Sequence, residues 1–506
     1  MTETDLCLAA CLIGSLLSGI RWLRVAQREH YLSLSASRFA LRWWRLGIVN
    51  PLMILIAVGA ALISIWFASS CIITAAMMAL GPIGLGLKGR TSSLAWTRRL
   101  RTVASVATLL ICGLFLAVRQ FEASPVLYGS IAISVPFLID ATLALLKPVE
   151  RKFARSYVTQ AANTLERINP IRIAITGSYG KTTIKGYVRH LLSESHSVVA
   201  SPASFNNSAG LSRAVNEHLH SGTDIFVAEM GTYGPGEIAD LVSWVRPSIS
   251  VLSAIGPVHL ERFGDLDTIV SSKSEIFATS KTAIVNIDAY GLTEEAERLQ
   301  ASGINVVKCS EKDSTADVFV RSEDGGLTVT VSNHQIVTNL RIDAAPTNVA
   351  CAVAVAIALE IPAATIALRL ATLPAADHRR QIVPSDLGAT IIDDTYNSNP
   401  AGAAAALKTL TGLQANRKVV VTPGMVELGN RQNPENRRFG VDASLIADDL
   451  LIVGRTNRRA LVNGSRDGTA RVHLLPNRDE AIRWVRENLT AGDAVLYEND
   501  LPDHYA

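Results

Sequence analysis

The residues best equipped for chemistry are Gly180-Lys181-Thr182-Thr183, which end the stretch IRIAITGSYGKTT at 171–183. A lysine and two hydroxyls directly after a glycine turn suit a polyphosphate. Backbone N–H groups and a helix N-terminus face the anion, Lys181 reaches the terminal phosphates, and Thr182 can ligate Mg²⁺. Thr176, Gly177, Ser178 and Thr183 complete the cradle. The flanking sequence supplies the elements that must hold it. Ile173-Ala174-Ile175 reads as an apolar strand, and Ile184, Tyr187, Val188, Leu191 and Leu192 share one face of a following helix. Ile175 stands six residues before the lysine, where the usual motif has its first glycine. The plain alternative is a strand–turn–helix with no ligand.

Other polar residues sit in informative places. Glu229 ends the apolar run DIFVAEMG, where a hard oxygen ligand for Mg²⁺ is expected beside a phosphate loop; the alternative is a strand-end acid in solvent. Lys273 shares a helix face with Ile269, Ile276 and Phe277, and a buried lysine is costly unless neutralised or paired. Its alternative is a stem running past an apolar rim to water. His259 is a lone histidine, and such residues are more often structural. Asn206-Asn207 and the NSNP run at 397–400 read as turns when taken alone.

A chain of 506 residues is several domains, and a net charge of +3 gives no sign of a nucleic-acid partner. Four of the six cysteines precede residue 113, and no CxxC pair occurs, so neither a zinc ribbon nor a disulfide framework is suggested. Cys7 and Cys11 share a helix face as small apolar residues of a membrane helix.

Residues 1–150 read as a helical transmembrane domain of about five spans. Leu46–Leu87 carries no charge and is long enough for two spans of ~20 residues, with a turn at Ser69-Ser70. Thr102–Val118 is uncharged, Ala123–Leu146 carries only Asp140, and Leu6–Ile20 is a shorter candidate. Arginines and lysines crowd alternate connections: Arg21–Arg45, Lys88–Arg101 and Lys147–Arg155. The positive-inside rule then puts the N-terminus outside and the C-terminal bulk in the cytoplasm, so the expected location is the cytoplasmic membrane. Trp22, Trp43, Trp44 and Trp96 beside arginines read as interfacial anchors. Asp140 reads as a helix-end acid, or as a buried polar contact.

Residues 151–169 read as a linker helix ended by Asn169-Pro170. Strands and helices alternate over 170–372, the pattern of a parallel sheet covered on both faces, with an antiparallel hairpin flap at Asp317–Ile342. A second α/β unit covers 373–506. Its strands are Thr390–Asp393, Lys418–Thr422, Asp449–Val453, Val472–Leu475 and Ala494–Tyr497.

From about residue 170 onward the chain resembles the Mur ligase family, ATP-dependent amide-forming enzymes of peptidoglycan synthesis, and most of all its MurF-type branch. The stretches that carry the resemblance come in order: TGSYGKTT, SFNNSAG, AEMGTYGPGEI, IGPVHLERFG, SKSEIF, TNVACAVAVA, IDDTYNSNP and PGMVELG. The resemblance implies a P-loop central domain and a Rossmann-like C-terminal domain, with ATP and two Mg²⁺ ions. Thr182 and Glu229 are implied as metal ligands, with His259 and a carbamylated Lys273 on the second ion. Lys181, Lys273, His259 and Arg379 are the implied catalytic set. Asn348 is implied to contact adenine and Asp394 the ribose. Tyr396, Asn397 and Asn399 would lie near nucleotide and amine, and Asn206 and Asn207 near the acceptor.

Thr347, Pro423 and His378 depart from the family pattern, in place of a histidine, an acid and a glycine. Soluble members carry a UDP-holding domain where this chain has membrane helices. A carboxylate acceptor that is itself membrane-bound, lipid-linked or polymeric, is therefore expected, together with an amine substrate. A membrane polyglutamate-type ligase and a non-catalytic nucleotide-binding module are the competing readings. A P-loop motor would leave the C-terminal domain unexplained.

Overall fold

A computed structural model describes residues 2–87, 94–202, 205–323, 325–342, 344–374, 381–384, 388–395, 399–501 and 505. The chain divides into two compact units, 1–153 with 501–506, and 154–500.

The first unit is helical: α1 (Glu3–Arg28), α2 (Ser35–Trp44), α3 (Val49–Ile63), α4 (Cys71–Leu80), α5 (Arg98–Gln120), α6 (Val126–Ile133) and the start of α7 (Val135–Ile168). Its interior is built on Trp22, Phe39, Trp43, Leu100, Phe115 and Tyr128. Two polar side chains inside it bond to helix ends. The Asp140 carboxylate accepts from the Ala36 and Ser37 N–H groups at 3.2 and 2.8 Å and from the Ser37 hydroxyl at 2.6 Å. It thus closes the N-terminus of α2, which Leu34, the residue before it, cannot do. The Arg21 guanidinium donates to the carbonyls of Ala79 and Leu80 at the C-terminal end of α4, and to that of Leu85 beyond it. Cys7 and Cys71 form a disulfide between α1 and α4, which the cysteine spacing did not suggest, and Cys11 lies beside them.

Among the described residues, α1 and α5 are long and apolar enough to cross a membrane. Two bent pairs, α2 with α3 and α6 with the first half of α7, would raise the number to four if each is one span. This differs from the five spans expected. The uncharged stretch 46–87 breaks into helices of 15 and 10 residues separated by a 3-10 turn. At 1.5 Å per residue the longer rises about 22 Å, short of a ~30 Å hydrocarbon core. The expected linker stretch is helical, as the C-terminal part of α7, with Pro148 inside the helix.

The second unit contains two sheets. The first is built from β1 (Ile171–Thr176), α8 (Lys181–Leu192), β2 (Val198–Ala200), α9 (Ser208–His218), β3 (Ile225–Glu229), α10 (Glu237–Val245) and β4 (Ile249–Leu252). Then follow α11 (Leu260–Phe263), α12 (Leu266–Ser274), β5 (Thr282–Asn286), α13 (Leu292–Ala301) and β6 (Asn305–Ser310). β7 (Val318–Glu323), β8 (Gly326–Val331), β9 (His334–Leu340), α14 (Pro346–Ala358) and α15 (Ala363–Leu370) complete it. The strand order is β2-β3-β1-β4-β5-β6-β7-β8-β9, parallel as far as β7 and antiparallel beyond. The expected flap is therefore a three-stranded extension of the main sheet. β1, β3 and β4 are buried almost throughout, as strands covered on both faces must be. β1 lies between β3 and β4, so the loops leaving these three strands converge at one carboxyl edge, the usual place for a ligand in an open α/β sheet.

The second sheet has β10 (Gln381–Pro384), β11 (Thr390–Asp394), α16 (Pro400–Gly412), β12 (Lys418–Thr422), α17 (Gln432–Ile446) and β13 (Asp449–Val453). α18 (Arg458–Ser465), β14 (Arg471–Leu475), α19 (Arg478–Asn488) and β15 (Ala494–Glu498) follow, in the order β10-β11-β15-β12-β13-β14. All pairs are parallel except β10 with β11.

Candidate functional site

The turn from β1 to α8 is held by its own polar groups. Thr176 is buried and its hydroxyl donates to the Met230 carbonyl at 2.8 Å. The Ser178 hydroxyl donates to the Gly256 carbonyl and accepts from the Gly256 N–H. The Ser253 hydroxyl donates to the carbonyls of Thr176 and Tyr179. These bonds tie the turn to the loops after β3 and β4. Gly180 has φ 82°, and a Cβ there would sit 2.4 Å from the Asn348 amide oxygen, so glycine is required on both counts. Asn348, from the first turn of α14, therefore lies against the phosphate turn. Gly180 gives α8 no side-chain cap, and the N-terminus of a helix is where backbone N–H groups can face an anion. Lys181, Thr182 and Thr183 all lie in that first turn.

Two lysines meet at this turn. Lys181 Nζ donates to the Gly177 carbonyl at 2.8 Å, and Lys273 Nζ to the same oxygen at 3.3 Å. Lys273 is 3% exposed. Burial, and then the charge of Lys181, hold its ammonium well below the usual lysine range. The lysine on an apolar helix face thus points inward, not past a rim to water.

Glu229, at the end of β3 and 2% exposed, faces the same turn. Its carboxylate accepts from the Thr182 hydroxyl at 3.0 Å, from Lys185 Nζ at 2.9 Å and from the Asn206 amide at 3.4 Å. Lys185 is the residue that the sequence reading missed. It follows Thr182 by three positions, hence on the same side of α8, and that spacing was the available signal. Thr182 and Glu229 are hard oxygen donors beside a phosphate turn, a set that fits Mg²⁺. Glu229 lies with Lys185 in a buried ion pair that a cation would have to displace or share.

His259 stands at the start of α11 with φ 54°. Its Nδ1 contacts the carboxylate of Glu427, from the loop after β12, and Arg262 Nη2 lies 3.4 Å from the other oxygen. Tyr233 meets the imidazole edge-on at 4.8 Å, and Arg262 lies over the Tyr233 ring at 4.9 Å. His259 is thus organised from the second sheet.

The remaining expected residues divide. Asn207 and Asn399 act as helix N-caps, accepting from the N–H groups of Gly210 and Gly402 at 2.9 Å. Asp394 ends β11 opposite Glu498 of β15. Glu498 is fully buried, and burial with the nearby Asp394 charge pushes its carboxyl up to about 8, against a 2.6 Å bond from the Thr422 hydroxyl. Arg379, Tyr396 and Asn397 lie outside the described residues.

Two family models match the second unit. The Mur ligase middle domain covers residues 175–358, and the Mur ligase glutamate ligase domain covers 378–497. The UDP-N-acetylmuramoyl-tripeptide–D-alanyl-D-alanine ligase of Mycobacterium tuberculosis is 30% identical over 357 residues, which are 64% of this chain and 69% of that protein. MurF from Acinetobacter baumannii superposes with a TM-score of 0.61 at 25% identity, over 69% of this chain and 77% of that one. MurF from Thermotoga maritima, solved in complex with ADP, shares the fold with a TM-score of 0.59 at 23% identity, over 69% and 80%. The chain belongs to the Mur ligase family, as a MurF-like ATP-dependent amide ligase.

Proposed function

We propose that the protein joins a carboxylate to an amine in peptidoglycan or a related polymer, at the cytoplasmic face of a membrane that holds its N-terminal unit. The observation that carries the site chemistry is the convergence of Lys181, Lys273, Thr182 and Glu229 on the β1–α8 turn. In this reading ATP lies along that turn, with its phosphates against the first-turn N–H groups and Lys181. Asn348 lies close enough to the turn to serve the nucleotide. Thr182 and Glu229 would hold one Mg²⁺, and His259 with carbamylated Lys273 a second, the ions supplying charge neutralisation of the phosphates.

The acceptor carboxylate oxygen attacks the γ-phosphorus, the bond to the ADP oxygen breaks, and an acyl phosphate forms. The amine nitrogen then attacks the acyl carbon and loses its proton, and the C–O bond breaks to release phosphate. The protein's part is to position and to stabilise charge. Lys181 steadies the terminal phosphates, and Lys185 and the Asn206 amide keep the Glu229 carboxylate aimed at the turn.

The membrane part of the reading is supported by the length and apolarity of α1 and α5, and by outward side chains such as Ile48, Leu55, Trp66, Leu109 and Leu116. The charge distribution supports cytoplasmic catalytic domains. A membrane unit in place of a UDP-holding domain favours a lipid-linked or polymeric acceptor. The test supplies ATP, D-alanyl-D-alanine or other amines, and either a soluble UDP-linked or a lipid-linked acceptor, to the full chain in lipid. Faster turnover of the lipid-linked form is expected. Equal or better turnover of the soluble form would refute the acceptor assignment.

A further inference from the structure

We infer that Glu427 is a positioning residue for His259, so that the carboxylate orienting this imidazole comes from the other α/β domain. The inference rests on the proposed ligase reading, in which His259 is a metal ligand. A carboxylate on Nδ1 favours, in the neutral ring, the tautomer with its proton on that nitrogen, which leaves the Nε2 lone pair for a cation.

Three further observations make the contact a built one. Arg262 anchors the second carboxylate oxygen, and Tyr233 is wedged against both His259 and Arg262. His259 and Glu427 both adopt left-handed backbone, φ 54° and 63°, a conformation that non-glycine residues hold only where surroundings impose it. A side chain at Gly429, two residues after Glu427, would meet the Leu260 and Glu261 backbone at 3.4 Å, so this loop lies directly on α11. His259 is therefore oriented only while the loop after β12 is docked. Docking of the C-terminal domain and assembly of the second cation site become one event.

The experiment uses the full chain in lipid nanodiscs with ADP and Mn²⁺ as the probe. Pulsed electron paramagnetic resonance reads imidazole nitrogen coupling, and titration reads Mn²⁺ affinity. The wild type is expected to show nitrogen coupling that H259A abolishes. E427A should lose the coupling and bind Mn²⁺ about 10–100-fold more weakly, with metal-free ADP affinity unchanged. E427Q, which keeps an acceptor for Nδ1–H, should restore the coupling. Wild-type coupling and affinity in E427A would overturn the inference. So would Mn²⁺–ADP bound to the wild type without coupling from His259, and in both cases the nucleotide reading would survive. Failure of the wild type to bind ADP at all would overturn that reading and the inference with it.

Discussion

Lys181 and Lys273 donate to one acceptor, the Gly177 carbonyl oxygen, at 2.8 and 3.3 Å. Two ammonium groups this close, one of them sealed from water, repel each other and favour a neutral amine at the buried position. A neutral amine is the form that reacts with CO₂, and the resulting carbamate would replace the repulsion by an attraction. A CO₂-saturated sample should carry one such adduct on Lys273 by intact mass or peptide mapping. A bare amine under those conditions would count against it.

The same lysine makes stability depend on pH. Its folded-state pKa lies below the ordinary 10.5, so a proton is held more tightly in the unfolded chain. Below the folded pKa both states are charged and stability is flat. Between that pKa and 10.5, stability should rise with pH. Thermal scans of K273M should lack this rise in the alkaline range, and an unchanged slope would contradict the burial of the ammonium.

Glu498 should show the opposite trend. Its carboxyl ionises near 4.5 in the unfolded chain and near about 8 in the fold. As pH rises from 4.5 to about 8 the unfolded state gives up its proton first, and on the order of a few kcal/mol of stability is lost. E498Q should flatten the pH dependence of Tm over that window. A wild-type Tm that climbs across it would exclude a neutral buried acid.

The Lys185–Glu229 pair is 8% and 2% exposed on its two side chains. Removing one partner takes away the buried counter-charge of the other, at a cost of roughly 3–5 kcal/mol. E229A should therefore unfold at markedly lower denaturant concentration than the double variant E229A/K185M. If the two unfold alike, the pair is open to solvent.

Asp140 closes the N-terminus of α2 from 104 residues away in sequence. D140A removes a cap of about 1–2 kcal/mol and exposes buried N–H groups. Hydrogen exchange in detergent should rise at Ala36 and Ser37. Unchanged exchange there would show that the helix end is satisfied otherwise.

The phosphate turn was legible because its strand, glycine turn and helix are contiguous, so local pattern alone determines them. All five strands expected in the C-terminal domain agree with the fold to within one residue at each end, for the same reason. What periodicity cannot show is which distant groups meet. Lys185 drew no reading from the sequence, because its partner Glu229 comes from β3, 44 residues further along the chain. Glu427 was visible as part of PGMVELG, yet its role depends on a loop of one sheet reaching a helix of the other. The turn expected at Ser69-Ser70 falls in the 3-10 helix there, but hydropathy does not show that the flanking helices are only 15 and 10 residues long.

The most direct measurement is phosphate release by the full chain in lipid, with ATP, with and without an amine and a carboxylate acceptor, for the wild type and for K181A. Release that requires both co-substrates, and that falls at least 100-fold in K181A as nucleotide affinity drops, is the expected result. Release indifferent to the co-substrates, or a K181A protein that binds nucleotide and couples as the wild type does, would contradict an ATP-driven amide ligase.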